Sequence, residues 1–169
     1  MTATGHFISF EGIDRSGKST QAALLADSLG DDALLVREPG GTQLSERART
    51  ILKDPAIPLA PRAEALLFAA ARADLTTTVI GPAIEQGKIV IADRFIDSSL
   101  AYQGVARGLG IDAINKLNAW ATEGLTPELT ILIEIDAETA RERGAEENDR
   151  FEDEGASFQQ QVAAAYEQL

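Results

Sequence analysis

The run Gly12-Ile13-Asp14-Arg15-Ser16-Gly17-Lys18-Ser19, followed by Thr20, matches the pattern G-x-x-x-x-G-K-[ST]. Its flanks make it a strong constraint on the fold. "FISF" at 7–10 is a short apolar run of strand type, and Ala22, Leu25, Ala26 and Leu29 return at helical spacing before Gly30 offers a stop. A glycine loop between a buried strand and a helix can wrap backbone N–H groups around a phosphate, and the helix N-terminus adds partial positive charge. Lys18 is placed to reach the β- and γ-phosphates, and the Ser19 hydroxyl to ligate Mg²⁺. The segment implies a nucleoside triphosphate with Mg²⁺.

Three more apolar runs read as buried strands: "ALLV" at 33–36, "IVIAD" at 89–93 and "LTILIEI" at 129–135. Helical patterns separate them. One runs from Pro61 to about Gln86 with a kink or break at Pro82, and another from Ile111 to Glu123, closed by Gly124. Alternation of this kind predicts an α/β chain, a parallel sheet covered by helices on both faces. With 169 residues and no linker or repeat, a single domain over 1–169 is expected. The highly charged stretch 142–155 has almost nothing to bury and reads as a mobile flap or a frayed helix end. "FQQQVAAAYEQL" continues as a helix to the last residue.

Composition removes several functions. There is no cysteine, so disulfides, thiolate metal sites and a cysteine nucleophile are excluded. A net charge of -12 argues against nucleic acid as a partner, since polyanion binding needs a basic face. No run approaches the length of a membrane span and the N-terminus lacks signal-peptide character, so a cytoplasmic protein is expected. The 15 Lys and Arg residues are spread thinly, several beside Gly, Pro or Asp, as suits a local pocket for a small anion.

The phosphate loop does not choose a reaction. A GTPase would need N-K-x-D and D-x-x-G; here "NKLN" at 115–118 ends in Asn118, and Asp93 continues as "DRFI" without a switch glycine. The strand ends "VREPGGT" and "ADRFIDSSLAYQG" bring Arg37 and Arg94 toward one anion. They also leave Asp93 to hold Mg²⁺ or cap the next segment. Phe68 and Arg72, four apart, share a helix face. That spacing suits a ring and donor fork for a flat base, and equally a core phenylalanine beside a surface arginine. The sole histidine, His6, reads as strand-edge structure.

Together "FEGIDRSGKST", "REPGGT", "FAAARADL", "DRFIDSSLAYQG" and "NDRFE" resemble the thymidylate kinase family, from about Phe7 onward. The resemblance implies a P-loop kinase fold and ATP-dependent phosphorylation of deoxythymidine monophosphate (dTMP). It gives Gly12 to Thr20 to ATP, Ser19 and Asp93 to Mg²⁺, and Arg37 and Arg94 to the acceptor 5′-phosphate. Phe68 would stack on thymine and Arg72 would bond its edge, with Ser99 and Gln103 as further base contacts and Ser98 beside them. Tyr102 would crowd a ribose 2′-OH, and Asp14 would approach the 3′-OH. Some members keep the catalytic arginine in the phosphate loop and others in the lid; because "AEEN" at the flap centre has no basic residue, the role falls to Arg15, with Lys18, Asp14 and Arg94 completing the catalytic set. Arg141 or Arg143 would stack on adenine. The family also implies a homodimer, and makes the charged flap a lid at about 144–155. Its members continue with a further strand and helix, so that segment is expected to be absent here. Two rivals remain: a deoxynucleoside kinase using Glu11 as base, and a nucleotide-binding module with weak catalysis.

Overall fold

The computed structural model describes residues 5–136, 139–140, 143, 150–151 and 154–169. Four parallel strands form its sheet in the order β2-β3-β1-β4. They are β1 (His6–Glu11), β2 (Ala33–Arg37), β3 (Ile89–Asp93) and β4 (Leu129–Leu132). Register is set by Phe7 opposite Val90, Val36 opposite Ala92 and Phe10 opposite Ile131. Because side chains alternate across a strand, Phe7, Val36, Val90 and Ala92 enter one core. Phe10 and Ile91, with Ile8 and Ile131, enter another, against Ala22, Leu25 and Leu29 of helix α1 (Lys18–Leu29). Both faces are thus buried, as the apolar runs require. Phe7 is 1% exposed and meets Phe95 edge to face at 4.8 Å. Burial of such a ring is worth about 1.5–3 kcal/mol.

The other helices frame one end of the sheet. Helix α2 (Gln43–Lys53), which the sequence reading left unassigned, is capped by Thr42, whose hydroxyl accepts from Ser45 N at 3.1 Å. Helix α3 (Pro61–Leu75) passes through a π-helical turn, Thr76–Ile80, into α4 (Gly81–Glu85). The expected break at Pro82 therefore appears one turn earlier. Proline has no N–H to give a carbonyl four residues back and its ring crowds that carbonyl, so the preceding turn widens. A short α5 (Ile96–Ser99) runs into a second π-helical stretch, Leu100–Ala106, and α6 covers Ile111–Ala121. Gly124, at φ 81°, donates its N–H to Ala119 O after α6 ends.

Two strand and helix boundaries change. β4 stops at Leu132 rather than residue 135, and the C-terminal helix α7 spans Gly155–Tyr166. Of the expected lid, 144–149 and 152–153 lie outside the described residues, as does Arg141. Among the described residues no helix is long and apolar enough to cross a membrane.

The turn after β1 leaves no room for a side chain. A Cβ at Gly12 would lie 2.5 Å from Ile133 O, a backbone atom, and the residue's φ is +141°. Gly12→Ala should therefore lower unfolding free energy by about 1–3 kcal/mol, read as a lower urea midpoint at unchanged slope.

Candidate active site

The phosphate loop emerges from β1 with Arg15 at φ 64° and Gly17 at φ 97°, and α1 begins at Lys18. Lys18 is only 5% exposed, and its Nζ donates to Ile13 O at 3.2 Å. Burial, with repulsion from Arg94, pushes its pKa down to about 8 although Asp14, Asp93 and Glu11 pull the other way. Arg143 donates Nη1 to the carbonyls of Arg15 and Ser16 at 2.9 and 3.1 Å. It is thus tied to the outside of the loop. Asp93 Oδ1 and Ser16 Oγ are buried without a partner. An orphaned carboxylate oxygen that shares a cavity with Ser19 fits a Mg²⁺ ion. The described residues contain no cluster of three ligating carboxylates or imidazoles. A nucleotide's phosphates would complete the shell of such an ion.

The strand end Asp93 leads to Arg94, a non-glycine residue at φ 74°. That backbone aims the guanidinium back across the loop, where it meets five groups. Nη1 donates to Gly12 O (2.9 Å), Ser98 Oγ (3.0 Å) and Tyr166 Oη (3.2 Å), and Nη2 to Asp14 Oδ1 (2.6 Å) and Tyr102 Oη (3.4 Å). Asp14 also accepts from Tyr102 Oη at 2.9 Å. Burial raises the Asp14 pKa, but Arg94, Lys18 and the Tyr102 hydrogen bond outweigh it and bring the carboxyl to about 2. Asp14 therefore stays ionised. Arg37, at the mouth, is exposed and held by Glu46 at 3.1 Å.

Glu11 does not reach this space. It is 1% exposed, with Oε1 accepting from Phe95 N (2.7 Å) and Oε2 from Ser98 Oγ (2.6 Å) and Tyr166 Oη (3.0 Å). Burial raises its pKa, partly offset by Ser98 and Arg94. A carboxylate spent on these structural bonds is not poised to deprotonate a sugar hydroxyl.

Helix α3 brings Glu64, Phe68 and Arg72 to one face at successive four-residue steps. Phe68 is half-buried, its ring 5.9 Å from that of Phe151. Arg72 is 1% exposed and, unlike the free donor expected, is fully subscribed. Nε donates to Glu38 Oε2 (2.7 Å), Nη1 to Ser99 Oγ (2.9 Å) and Asn118 Oδ1 (2.5 Å), and Nη2 to Phe95 O (2.9 Å) while pairing with Glu38 (2.5 Å). Its neighbour Ser99 accepts that bond and keeps its own hydroxyl proton to give. Glu38, buried with Oε1 unpartnered, is pushed by burial to about 7 despite Arg72.

These groups line one cavity of about 670 Å³, which takes in Asp14, Arg15, Lys18, Ser19, Arg37, Phe68, Arg72, Asp93, Arg94, Ser98, Ser99, Tyr102 and Gln103. Of the residues expected at the site, Ile13 instead lines a smaller neighbouring cavity with Gly12. Sequence reasoning missed Glu38, Arg49, Lys53 and Phe151 on the wall, and Tyr166 and Glu64 behind it. Glu38 stood inside "REPGGT" and Glu64 one turn before Phe68; Arg49 and Lys53 needed α2 to be recognised first. Seven of the chain's 15 lysines and arginines converge here, against three acidic side chains.

A family model described as Thymidylate kinase matches residues 10–169. The chain is 45% identical over 173 residues to a thymidylate kinase of Halothermothrix orenii, covering 98% of this chain and 84% of that one. It is 48% identical over 169 residues to one of Thermoanaerobacter sp. strain X514, covering 98% and 83%. The crystal structure of thymidylate kinase from Ehrlichia chaffeensis superposes with a TM-score of 0.81 at 36% identity, over 97% of this chain and 85% of that one.

The depressed Lys18 pKa has a directional consequence. Triphosphate binding needs the charged amine, so affinity is full below the free-state value and is lost as pH rises through about 8. Titration of nucleoside triphosphate should show about tenfold weaker binding at pH 9 than at pH 7; a flat profile would mean that Lys18 keeps its proton throughout.

Proposed function

The chain belongs to the thymidylate kinase family, and from that premise we propose how its cavity divides the work of phosphorylating dTMP. The reaction itself, a phosphoryl transfer to dTMP, is that of the family. The donor is ATP, held by Gly12 to Thr20 through backbone N–H groups, by the α1 N-terminus and by Lys18. Mg²⁺ would be held by Ser19 and Asp93 and would supply charge neutralisation between the β- and γ-phosphates.

One observation carries the acceptor assignment: Arg94, half-buried behind the loop and fixed by five partners, lines the same cavity as Phe68, Ser99 and Gln103. A phosphate placed against Arg94 and Arg37 leaves the base against Phe68 and the sugar beside Tyr102 and Asp14. The acceptor phosphate is already anionic near neutral pH, so its oxygen attacks the γ-phosphorus in line with no general base. Asp14, ionised and doubly hydrogen-bonded, accepts from the sugar 3′-OH instead of serving as a base. Arg15, in the left-handed region and lining the cavity, neutralises charge on the moving phosphoryl group. Arg143, bound to the Arg15 and Ser16 carbonyls, supports the loop on the donor side. The chain acts as one kinase domain over residues 1–169. It works as a cytoplasmic homodimer, and Trp120 of α6, 82% exposed, and Leu66 of α3, 58% exposed, are apolar side chains such an interface could cover.

The deciding assay is ADP formation from Mg·ATP with dTMP, deoxyuridylate, adenylate and thymidine offered separately. Turnover should be dominated by dTMP; turnover of thymidine would restore the nucleoside-kinase reading, and dTMP binding without turnover the binding-module reading. Arg15→Ala should lower kcat by about 10³-fold or more with little change in the KM for dTMP, and an unchanged kcat would remove Arg15 from the mechanism.

A further inference from the structure

Behind the base-facing wall, Glu64 is buried to 0% exposure and lies outside the cavity, yet three donors close on it. Gln103 Nε2 donates to Oε1 at 2.8 Å, Arg107 Nε to the same oxygen at 3.3 Å, and Arg150 Nη1 to Oε2 at 2.8 Å. Arg150 is also fastened to α2, through its N–H to Lys53 O and its Nε to Leu52 O. A carboxylate between two guanidiniums offers only acceptors. The Gln103 amide therefore has one tolerable orientation, its NH₂ toward Glu64, because the flipped form would set two oxygens against each other at hydrogen-bond distance. With the NH₂ committed, its carbonyl Oε1 accepts from none of the described residues and belongs to a side chain on the cavity wall.

We propose that Glu64 is the positioning residue that sets the polarity of base recognition: by locking the Gln103 amide, it presents an acceptor to the pyrimidine N3 position. This rests on the dTMP reading above and adds to it the source of its base selectivity. Thymine and uracil carry a donor at N3 beside an acceptor O4, which match the Gln103 carbonyl and the free proton of Ser99. Cytosine carries an acceptor at N3 and a donor amine at C4, and meets a mismatch at both. Cytosine is then rejected at two positions by two neutral groups, the Gln103 carbonyl and the Ser99 hydroxyl. The same clasp ties this reading to Arg150, whose neighbour Phe151 lines the cavity.

The test compares kcat/KM for dTMP, deoxyuridylate and deoxycytidylate in the intact chain and in Glu64→Gln, whose own amide can accommodate either orientation of Gln103. The dTMP-to-deoxycytidylate preference should fall about tenfold or more in Glu64→Gln, while the dTMP-to-deoxyuridylate ratio, which this amide cannot sense, stays fixed. Loss of activity equal for all three acceptors would reduce Glu64 to a structural anchor and overturn the proposal. Should Glu64→Gln fail to fold, Gln103→Leu leaves the arginine clasp in place, and it too must lose the cytosine discrimination; an unchanged preference there overturns the proposal as well. Failure of the unaltered chain to use dTMP would instead fall on the function, not on Glu64.

Discussion

The Arg94 guanidinium is one point at which three parts of the chain meet. It bonds the loop after β1 at Gly12 and Asp14, the segment after β3 at Ser98 and Tyr102, and the C-terminal helix at Tyr166. A cation this far withdrawn from water is tolerable only when its donors are satisfied and its charge is answered. Here Asp14 answers the charge, and in doing so is itself fixed for the sugar. The left-handed backbone at Arg94 is what turns the side chain back over the loop, a conformation that costs of order 1–3 kcal/mol in such residues and is held by the bonds around it. The site is thus made of the same contacts that join its elements.

A second buried pair repeats the logic on the base side. Arg72 and Glu38 are removed from water together, and every Arg72 N–H has an acceptor. The arginine is consequently a scaffold: it holds Ser99 and Asn118 in place and leaves the hydroxyl of Ser99 to act. Glu38, with one oxygen unsatisfied and a pKa pushed to about 7, is the strained member of the pair. Removing either partner would leave the other as an uncompensated buried charge, a loss of about 3–5 kcal/mol.

The sheet was legible because buried parallel strands are written as continuous apolar runs, and "FISF", "ALLV" and "IVIAD" could hardly be anything else. The phosphate loop was legible because its glycine spacing has one mechanical use. "LTILIEI" overran because Ile133 and Ile135 prolong the apolar alternation past Leu132, where the pairing with β1 ends at Glu11. Helix α2 was hidden by its polar surface, and with it Arg49 and Lys53. Glu64 escaped, and Glu11 was offered only as a rival's base, for a different reason: their importance lies in long-range partners, Arg107, Arg150 and Tyr166, that no local spacing announces. Arg72 was found at the right wall, but whether its donors were free depended on Asn118 and Phe95, which are far along the chain.

The crowding of seven basic side chains against three acidic ones has a consequence for the folded state itself. In a protein of net charge -12, the cavity is a local patch where basic side chains outnumber acidic ones, even with Arg37, Arg72 and Arg94 each paired to a carboxylate. Nucleotide phosphates are then counterions as well as reactants. A polyanion that fits the folded cavity binds no such cluster in the unfolded chain, so its affinity adds directly to resistance to unfolding.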